Sequence, residues 1–382
     1  MNNIALVAAD YYIPNNLFST MQLLDTFQGQ LSDELIINIL QLGIDTRSST
    51  ISNYPHFLFS GAKKKNSEHA LDMSYKAFLN LIKHSSVDHK KIGLIITITS
   101  TPNQNSSFLG NELAKKIKQY VSHNVDILSL YYQGVFAFFQ AINLARYYLS
   151  MNTGKTVLII MSESHTNRFL PCNFSHYYGI NELDTNQLNK KEYKKTLDII
   201  KAFMFGDGAV AMLFSSPQYE GRTSGLTFGP ISNQSFSSCY DKNTLEIDTC
   251  CDIPIEFDGF PLYVLKKDKQ IKFWCDNIRK CLYQLYSVAS DQISFDLKQS
   301  NLLVHGASCQ LLSLLTDYIA PKSTPQQTEL AFSVLRKYGN LSCCSIPIMI
   351  IEHLKGEKTD NCILISPGFG FPGSIGVVYH HK

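Results

Sequence analysis

The stretch YYQGVFAFF, residues 131–139, joins a strand-like apolar run, VDILSLYY, to a helix-like run, GVFAFFQAINLARYYLSM. Gly134 permits the tight turn that such a junction requires. The side chain after the glycine lies at the positive end of the helix dipole, where a cysteine would be held as a thiolate. That residue is Val135, which has no nucleophilic atom. Taken alone, the pattern predicts a strand-to-helix turn in a buried core more readily than an active site.

Strand-like and helix-like runs alternate on both sides of this junction. Apolar runs such as IGLIITITS and KTVLIIMSES are short enough for strands, and segments with helical spacing separate them. This order predicts an α/β protein whose sheet is covered on both faces. After a polar surface excursion over 171–200, a second round begins near Thr223, so we expect two similar α/β halves, 1–217 and 218–382.

The composition is that of a compact globular chain, because 45% of the 382 residues are hydrophobic and only 17% are charged. The formal net charge of +2 argues against nucleic acid as a partner. The beginning of the chain lacks a signal-peptide pattern and no run is long enough to span a bilayer, so we expect a cytoplasmic protein without membrane association. The ten cysteines lack CxxC spacing, which predicts reduced thiols and no metal site.

Three further segments carry residue types that are common in active sites. His305 follows the strand-like run NLLV, and Asn340 precedes a helix-like run in KYGNLSCCSIP. A histidine at a strand end is more often structural than catalytic, and Asn340 can equally cap the following helix. The loop SPGFGFPGSIG, residues 366–376, brings backbone amides to a substrate carbonyl or is only a flexible hairpin. No helix follows the loop, which excludes a phosphate-binding fingerprint there.

In their order along the chain, these segments resemble those of the thiolase-fold condensing enzymes, nearest to type III polyketide synthases of the chalcone synthase kind and to ketoacyl-ACP synthase III. YYQGVFAF resembles the family's QGCFAGG segment, FGDGAVAML its FGDGAAA strand, and VHGAS its VHPGG segment. KYGNLSCCS is similar to EYGNMSSA, GFGFPGSIG to the GFGPG loop, LGIDTRSS to the GI-x-x-R element and TSTPNQN to the TTSG segment. The resemblance covers nearly the whole chain. It implies a thiolase-like fold, with the two α/β halves packed as a five-layer α-β-α-β-α arrangement.

The resemblance also implies roles for individual residues. His305 and Asn340 fall on the pair that stabilises the enolate formed when a malonyl unit loses carbon dioxide. Val135 falls on the position of the acylated cysteine, and because valine has no lone pair, no acyl-enzyme can form there. The residues that we expect to border the substrate are Gly368, Phe369, Gly370, Phe138, Phe139 and Arg47.

Some of these positions depart from the family pattern. Phe138 and Phe139 stand where paired glycines are usual, and they should thicken the wall of the site. Arg47 contacts a phosphate of the carrier or forms a surface salt bridge. Cys309, four residues after His305, stays open as a substitute nucleophile.

Three functions remain open. The first is an acyltransferase or decarboxylase that acts on acyl thioesters of coenzyme A or an acyl-carrier protein, with no cysteine at position 135 and no further cofactor. The second is a non-catalytic subunit that pairs with an active condensing enzyme. The family resemblance implies a homodimer or a heterodimer with a cysteine-bearing homologue. The third is a module that binds an acyl thioester without converting it. Retention of His305 and Asn340 favours the first.

Overall fold

The computed structural model describes residues 3–27, 31–65, 68–102, 108–169, 198–218, 225–234, 245–248, 262–265, 267–289, 296–356, 360–368 and 373–380. The strands in this part of the chain are β1 (Ile4–Tyr12), β2 (Asn16–Ser19), β3 (Thr46–Ser49), β4 (Ile92–Thr99), β5 (Asp126–Tyr131), β6 (Thr156–Ser164), β7 (Asp207–Ser215), β8 (Leu226–Gln234), β9 (Leu245–Asp248), β10 (Leu262–Leu265), β11 (Asn301–Val304), β12 (Cys362–Pro367) and β13 (Gly373–His380). The helices are α1 (Thr20–Phe27), α2 (Asp33–Gln41), α3 (Tyr54–Ser60), α4 (Ala70–Lys83), α5 (Leu109–Lys116), α6 (Phe136–Met151), α7 (Lys267–Ala289), α8 (Cys309–Ile319), α9 (Pro325–Tyr338) and α10 (Ser345–Lys355).

Nine of the described strands form one mixed sheet in the order β11-β12-β13-β8-β1-β7-β6-β4-β5. The strands from the first half of the chain lie together, and so do those from the second. The two groups join where β1 pairs antiparallel with β8, placing Ile4 opposite Phe228 and Ala5 opposite Thr227. On one side of this junction, β4 pairs in parallel with β5 and β6. On the other, β11 pairs in parallel with β12.

Helices cover the outer faces of the sheet and fill the space between its two groups of strands. On the first group, α4 packs on β1, β6 and β7, while α5 packs on β4 and β5. On the second, α7 packs on β8, β12 and β13, and α9 packs on β11. Helix α6 contacts β4 and β6 of the first group as well as β8 and β13 of the second, and α10 contacts β1 and β11. The expected α/β layering is therefore confirmed, while the boundary between residues 217 and 218 stays a prediction.

The central strands are apolar because both of their faces are covered. Every residue of β4 and of β6 is buried, and β-branched residues are frequent in both. Helix α6 is buried along the stripe formed by Ala137, Phe138, Ala141, Ile142, Ala145 and Leu149, whose spacing is helical. These elements carry the strand ends and the helix start at which the predicted site residues lie.

Two features are absent from the described residues. No helix in the described part has both the length and the apolar character needed to cross a lipid bilayer. Within the same ranges, no three histidine, cysteine or acidic side chains come together in a way that could hold a metal ion.

Candidate active site

The turn between β5 and α6 is as tight as the glycine predicts. Gly134 has φ 56°, and Tyr132 has φ 60°, which is unusual for a residue with a side chain. The Tyr132 amide donates to the carbonyl of Thr99 at the end of β4, at 3.1 Å. Val135 occupies the N-cap of α6, is 3% exposed and makes no side-chain cap. The first helical amides instead bond to carbonyls three residues back, from Ala137 to Gly134 and from Phe138 to Val135.

The two phenylalanines inside α6 are completely buried. Their rings meet edge to face at 5.7 Å, and the ring of Phe138 meets that of Phe228 on β8 at 6.4 Å. Phe139 lies against Gly376 of β13, where an added Cβ would approach the ring to 3.5 Å. The rings therefore fill the core between the two groups of strands, and any contact with substrate stays a prediction.

His305 lies directly after β11, where its amide donates to the carbonyl of Ile365 on β12 at 2.9 Å. Its side chain is buried, and burial lowers the pKa of His305 from 6.5 to about 4. The imidazole is consequently neutral near pH 7. Its Nδ1 atom has no hydrogen-bond partner among the described residues. A buried neutral imidazole with a ring nitrogen to spare is able to bind a ligand oxygen or proton.

Asn340 is held between α9 and a short 3-10 turn, Ser342–Cys344. Its amide donates to the Met204 carbonyl at 2.8 Å, and its own carbonyl accepts from Gly206 at 3.2 Å. The side-chain oxygen accepts from the Ser342 amide at 2.8 Å. This hydrogen bond is not the helix cap considered for Asn340, because the N-cap of α10 is Cys344 and that of the 3-10 turn is Leu341. It engages the oxygen and leaves the side-chain NH₂ group as the donor that a ligand can use.

A buried carboxylate on β6, that of Glu163, lies in the same region, and the sequence did not single it out. It accepts from the Ser100 amide at 3.0 Å and from the Thr101 hydroxyl at 3.0 Å. It also accepts from the Cys343 thiol at 3.1 Å. Nε2 of His165 lies 3.9 Å from the carboxylate, and Nδ1 of the same ring lies 2.8 Å from the Gly206 carbonyl.

The only sequence signal for Glu163 is a charge at the end of an otherwise apolar run, KTVLIIMSES. Cys343 itself is fully buried, and burial, Cys344 and Glu163 together raise its pKa well above the usual value. Its thiol is therefore protonated at neutral pH.

Asp207, in the FGDG segment at the start of β7, forms hydrogen bonds to residues that follow β3 and β6. Its carboxylate accepts from the amides of Thr50 and Thr166, at 2.8 and 2.9 Å, and from both threonine hydroxyls. The side chain is completely buried, and burial raises the pKa of Asp207. The network fixes the segment after β3 to the segment after β6, next to Glu163.

The sequence matches no protein-family model. Among curated proteins, the chain is similar to the beta-ketoacyl-acyl-carrier-protein synthase III of Prochlorococcus marinus subsp. pastoris, with 24% identity over 94% of this chain and 91% of the relative. It is also similar to the protein of that name from Clostridium botulinum, with 23% identity over 99% of each chain.

Two solved structures superpose over almost the whole chain. OleA of Xanthomonas campestris, in a variant form, has a TM-score of 0.76 at 12% identity and covers 99% of this chain and 98% of its own. The C-terminal type III polyketide synthase domain of Steely1 from Dictyostelium has a TM-score of 0.75 at 18% identity and covers 99% of both. The chain has the thiolase-like fold of the condensing enzymes.

Val135, His305 and Asn340 come from separate elements of the thiolase-like fold, at the N-cap of α6, directly after β11 and after α9. Val135 belongs to a single buried apolar cluster that also contains Val304, next to His305, and Leu341, next to Asn340. Among the described residues, no hydrogen bond links the side chains of His305 and Asn340. Their distance from a common substrate therefore stays a prediction.

The remaining predicted residues are placed as follows. Gly368 is buried directly after β12, whereas Phe369 and Gly370, like Phe371, lie outside the described residues. Arg47 is completely buried, with its guanidinium 3.5 Å from the Phe18 carbonyl and hydrogen-bonded to the Thr20 hydroxyl.

Burial lowers the pKa of Arg47 to about 10, and Nε has no partner among the described residues. The surface salt bridge considered for Arg47 is therefore wrong, because the thiolase-like core encloses the side chain. Contact between Arg47 and a phosphate stays a prediction.

Cys309 is the first residue of α8 and is half-buried. Its thiol donates to the Gly43 carbonyl at 3.2 Å, and burial raises the pKa of Cys309. This placement in the thiolase-like fold favours a packing role and keeps the thiol protonated.

Proposed function

We propose that the chain is an acyltransferase or malonyl-type decarboxylase of the ketoacyl synthase III and type III polyketide synthase kind, acting on acyl thioesters of coenzyme A or an acyl-carrier protein. The observation that carries this proposal is the buried, neutral His305 with a spare ring nitrogen. The names of the similar curated proteins, which specify an acyl-carrier-protein synthase, support the substrate class.

In this proposal, His305 and Asn340 bind the carbonyl oxygen of a malonyl thioester. The imidazole N–H and the side-chain NH₂ of Asn340 both donate to that oxygen. As the carboxylate leaves as carbon dioxide, its bonding electron pair moves to the neighbouring carbon and the thioester becomes an enolate. Neutral donors in a buried site stabilise the developing negative charge without reorganisation. Engagement of the Asn340 oxygen by Ser342 supports this role, because it points the amide to donate rather than accept.

Position 135 takes no part in this chemistry. By the family resemblance, Val135 stands where the acylated cysteine is usual, and its burial at the N-cap of α6 supports that correspondence. Valine is close to cysteine in volume, so it maintains the packing of the turn while removing the nucleophile. An acyl acceptor that attacks the thioester directly, or a thiol elsewhere, then has to replace it.

The proposal is tested by carbon dioxide release from malonyl-coenzyme A. The native protein should release carbon dioxide, and His305→Ala and Asn340→Ala should each lower the rate by about 10² or more. His123→Ala, at an exposed position, is the matched control. Absence of carbon dioxide release by the native protein, together with release by a Val135→Cys variant, would contradict the proposal.

A non-catalytic partner role is the second candidate, and the position of β5 at the edge of the sheet that the described residues form favours it. β5 is the last strand of the nine, and Ile127 on it is 37% exposed. Phe108 and Tyr132, at 63% and 47% exposure, flank the same strand, since the amide after Phe108 donates to the Tyr131 hydroxyl. Exposed strand edges with apolar flanks pair with other chains. We propose a dimer through β5, with a second copy or with a cysteine-bearing homologue.

A further inference from the structure

Two reactive side chains that the proposed mechanism does not use meet next to the site. The thiol of Cys343 donates to Oε1 of Glu163 at 3.1 Å, and both side chains are completely buried. Burying a carboxylate raises the free energy of the folded state unless its oxygen atoms accept hydrogen bonds. The backbone of Ser100 and the hydroxyl of Thr101 hold the carboxylate in place, and the thiol is its further donor.

This pair lies against the same strand end as the turn that carries Val135. The carbonyl of Ile98 is 4.0 Å from the Cys343 sulfur, and that of Thr99 accepts from the Tyr132 amide. Helix α6 and the 3-10 turn Ser342–Cys344 are in contact, and Val135 and Cys343 belong to one buried cluster. The 3-10 turn that carries Cys343 and helix α6 are therefore neighbours in the core.

The neighbouring cysteine shows what distinguishes Cys343. Cys344 is equally buried and lies in the same turn, but its thiol donates to the backbone carbonyl of Gly208 at 3.6 Å. A backbone carbonyl cannot accept the thiol proton, whereas a carboxylate can. Burial and the nearby carboxylate keep Cys343 protonated until it reacts, so proton transfer has to accompany its attack.

We propose that Cys343 takes up the acyl group in place of residue 135, with Glu163 as the acceptor of its proton. The inference rests on the proposed function. The Sγ–H proton passes to Oε1 of Glu163 while the sulfur attacks the thioester carbonyl carbon. The bond from that carbon to the coenzyme A sulfur then breaks, and the leaving thiolate takes the proton back from Glu163. The products are acyl-Cys343 and free coenzyme A.

Condensation then uses the neighbouring residues. The enolate formed at His305 and Asn340 attacks the acyl carbon on Cys343, a carbon–carbon bond forms and the carbon–sulfur bond breaks. The Cys343 thiolate that is released takes a proton from solvent. Asn340 is three residues before Cys343, and Ser342 between them fixes the asparagine through its amide. The residue that carries the acyl group, Cys343, and a residue that stabilises the enolate, Asn340, thus belong to one short segment.

The burial of Cys343 and Glu163 should restrict the size of the acyl group that reacts. Because neither Cys343 nor Glu163 is exposed, the site has to open for each acyl group, and a small group needs less opening than a long chain. Acetyl transfer to Cys343 should accordingly be faster than transfer of an octanoyl group.

The test is peptide mapping after the full chain has been incubated with acetyl-coenzyme A and quenched in acid. We expect one acetyl group, on the peptide that contains Cys343, and none on it in Cys343→Ala. Glu163→Gln preserves the shape of the side chain but cannot take the proton, so it should slow acetylation by about 10². Cys344→Ala is the matched control and should acetylate normally. Half-buried Cys309 is the control for unspecific acetylation. If no binding site directs the reaction, the more accessible thiol should be acetylated first.

An acetyl group found only on Cys309 or Cys344, or on no cysteine, overturns the inference. So does condensation by Cys343→Ala at the native rate. In these cases, carbon dioxide release that depends on His305 still supports the proposed function, so the two failures are distinguishable. Should Cys343→Ala fail to fold, the peptide map of the native chain decides alone.

Discussion

The burial of His305 keeps its imidazole neutral near pH 7, and its Nδ1 atom has no hydrogen-bond partner among the described residues. A charged imidazole would repel protons and attract anions, whereas the neutral ring can donate to an oxygen and still accept at the other nitrogen. The family resemblance predicted His305 and Asn340 as site residues, whereas their local sequence patterns favoured a structural histidine and a helix cap. Glu163 and Cys343 were not predicted as a pair, because the contact joins segments 180 residues apart.

The lowered pKa of His305 predicts a dependence of stability on pH. The folded chain protonates this group only near pH 4, but the unfolded chain does so near 6.5. Between these values the unfolded state binds more protons, so stability falls as the pH falls, by about 3 kcal/mol for this group. Urea unfolding of His305→Gln between pH 7 and about pH 4 should therefore show a smaller loss than the native protein.

The control for this experiment is His123→Gln, because His123 is exposed in a loop. It should lose stability with falling pH as the native protein does. An unchanged pH profile in His305→Gln would show that another group carries the dependence.

At the scale of the element, the turn into α6 was well predicted, whereas contact between its two phenylalanines and a substrate stays a prediction. The glycine and the apolar periodicity of YYQGVFAFF gave the junction and the helix. Periodicity predicts that Phe138 and Phe139 are buried, as they are, but it cannot tell the wall of a substrate site from a core that borders other strands. The surface salt bridge predicted for Arg47 was wrong for a similar reason. A single charged residue in the sequence does not indicate the tertiary packing that buries it.

The packing of α6 predicts a large penalty for removing one ring. Phe138→Ala should lower the free energy of unfolding by about 3–5 kcal/mol, because it leaves a cavity beside Phe139 and Phe228. Tyr147→Ala, on the same helix but with a 70% exposed ring, should change it by less than about 0.5 kcal/mol. Denaturant titration compares the two, and equal effects would contradict the placement of Phe138 in the core.

At the scale of the whole molecule, the alternation of strands and helices and the family resemblance together predicted the architecture. The alternation alone gives an α/β class but cannot choose a strand order, because that order depends on pairings between distant segments. The antiparallel junction of β1 with β8, which joins the two groups of strands, has no local sequence signal.

The position of β5 at the edge of the sheet that the described residues form predicts how copies of the chain associate. Replacing Phe108 and Ile127 with lysine places two charges at the proposed interface and should shift a dimer to monomers in native mass spectrometry. Ile37→Lys, at a 53% exposed position on α2, is the matched control and should leave the dimer intact. A monomeric native protein would contradict association with itself and direct attention to a cysteine-bearing homologue.

The central position of β1 determines when this molecule can fold. Ala5 of β1 pairs with Ser215 and with Thr227, so the strands on either side of β1 leave the ribosome more than 200 residues after it. Native contacts of such long range slow folding, and an apolar strand that waits for its partners is prone to aggregate. The strands of the first half are complete only when β7 has been made, and those of the second half only when β13 has been made. Expression at low temperature or with a holdase chaperone should therefore raise the yield of folded protein.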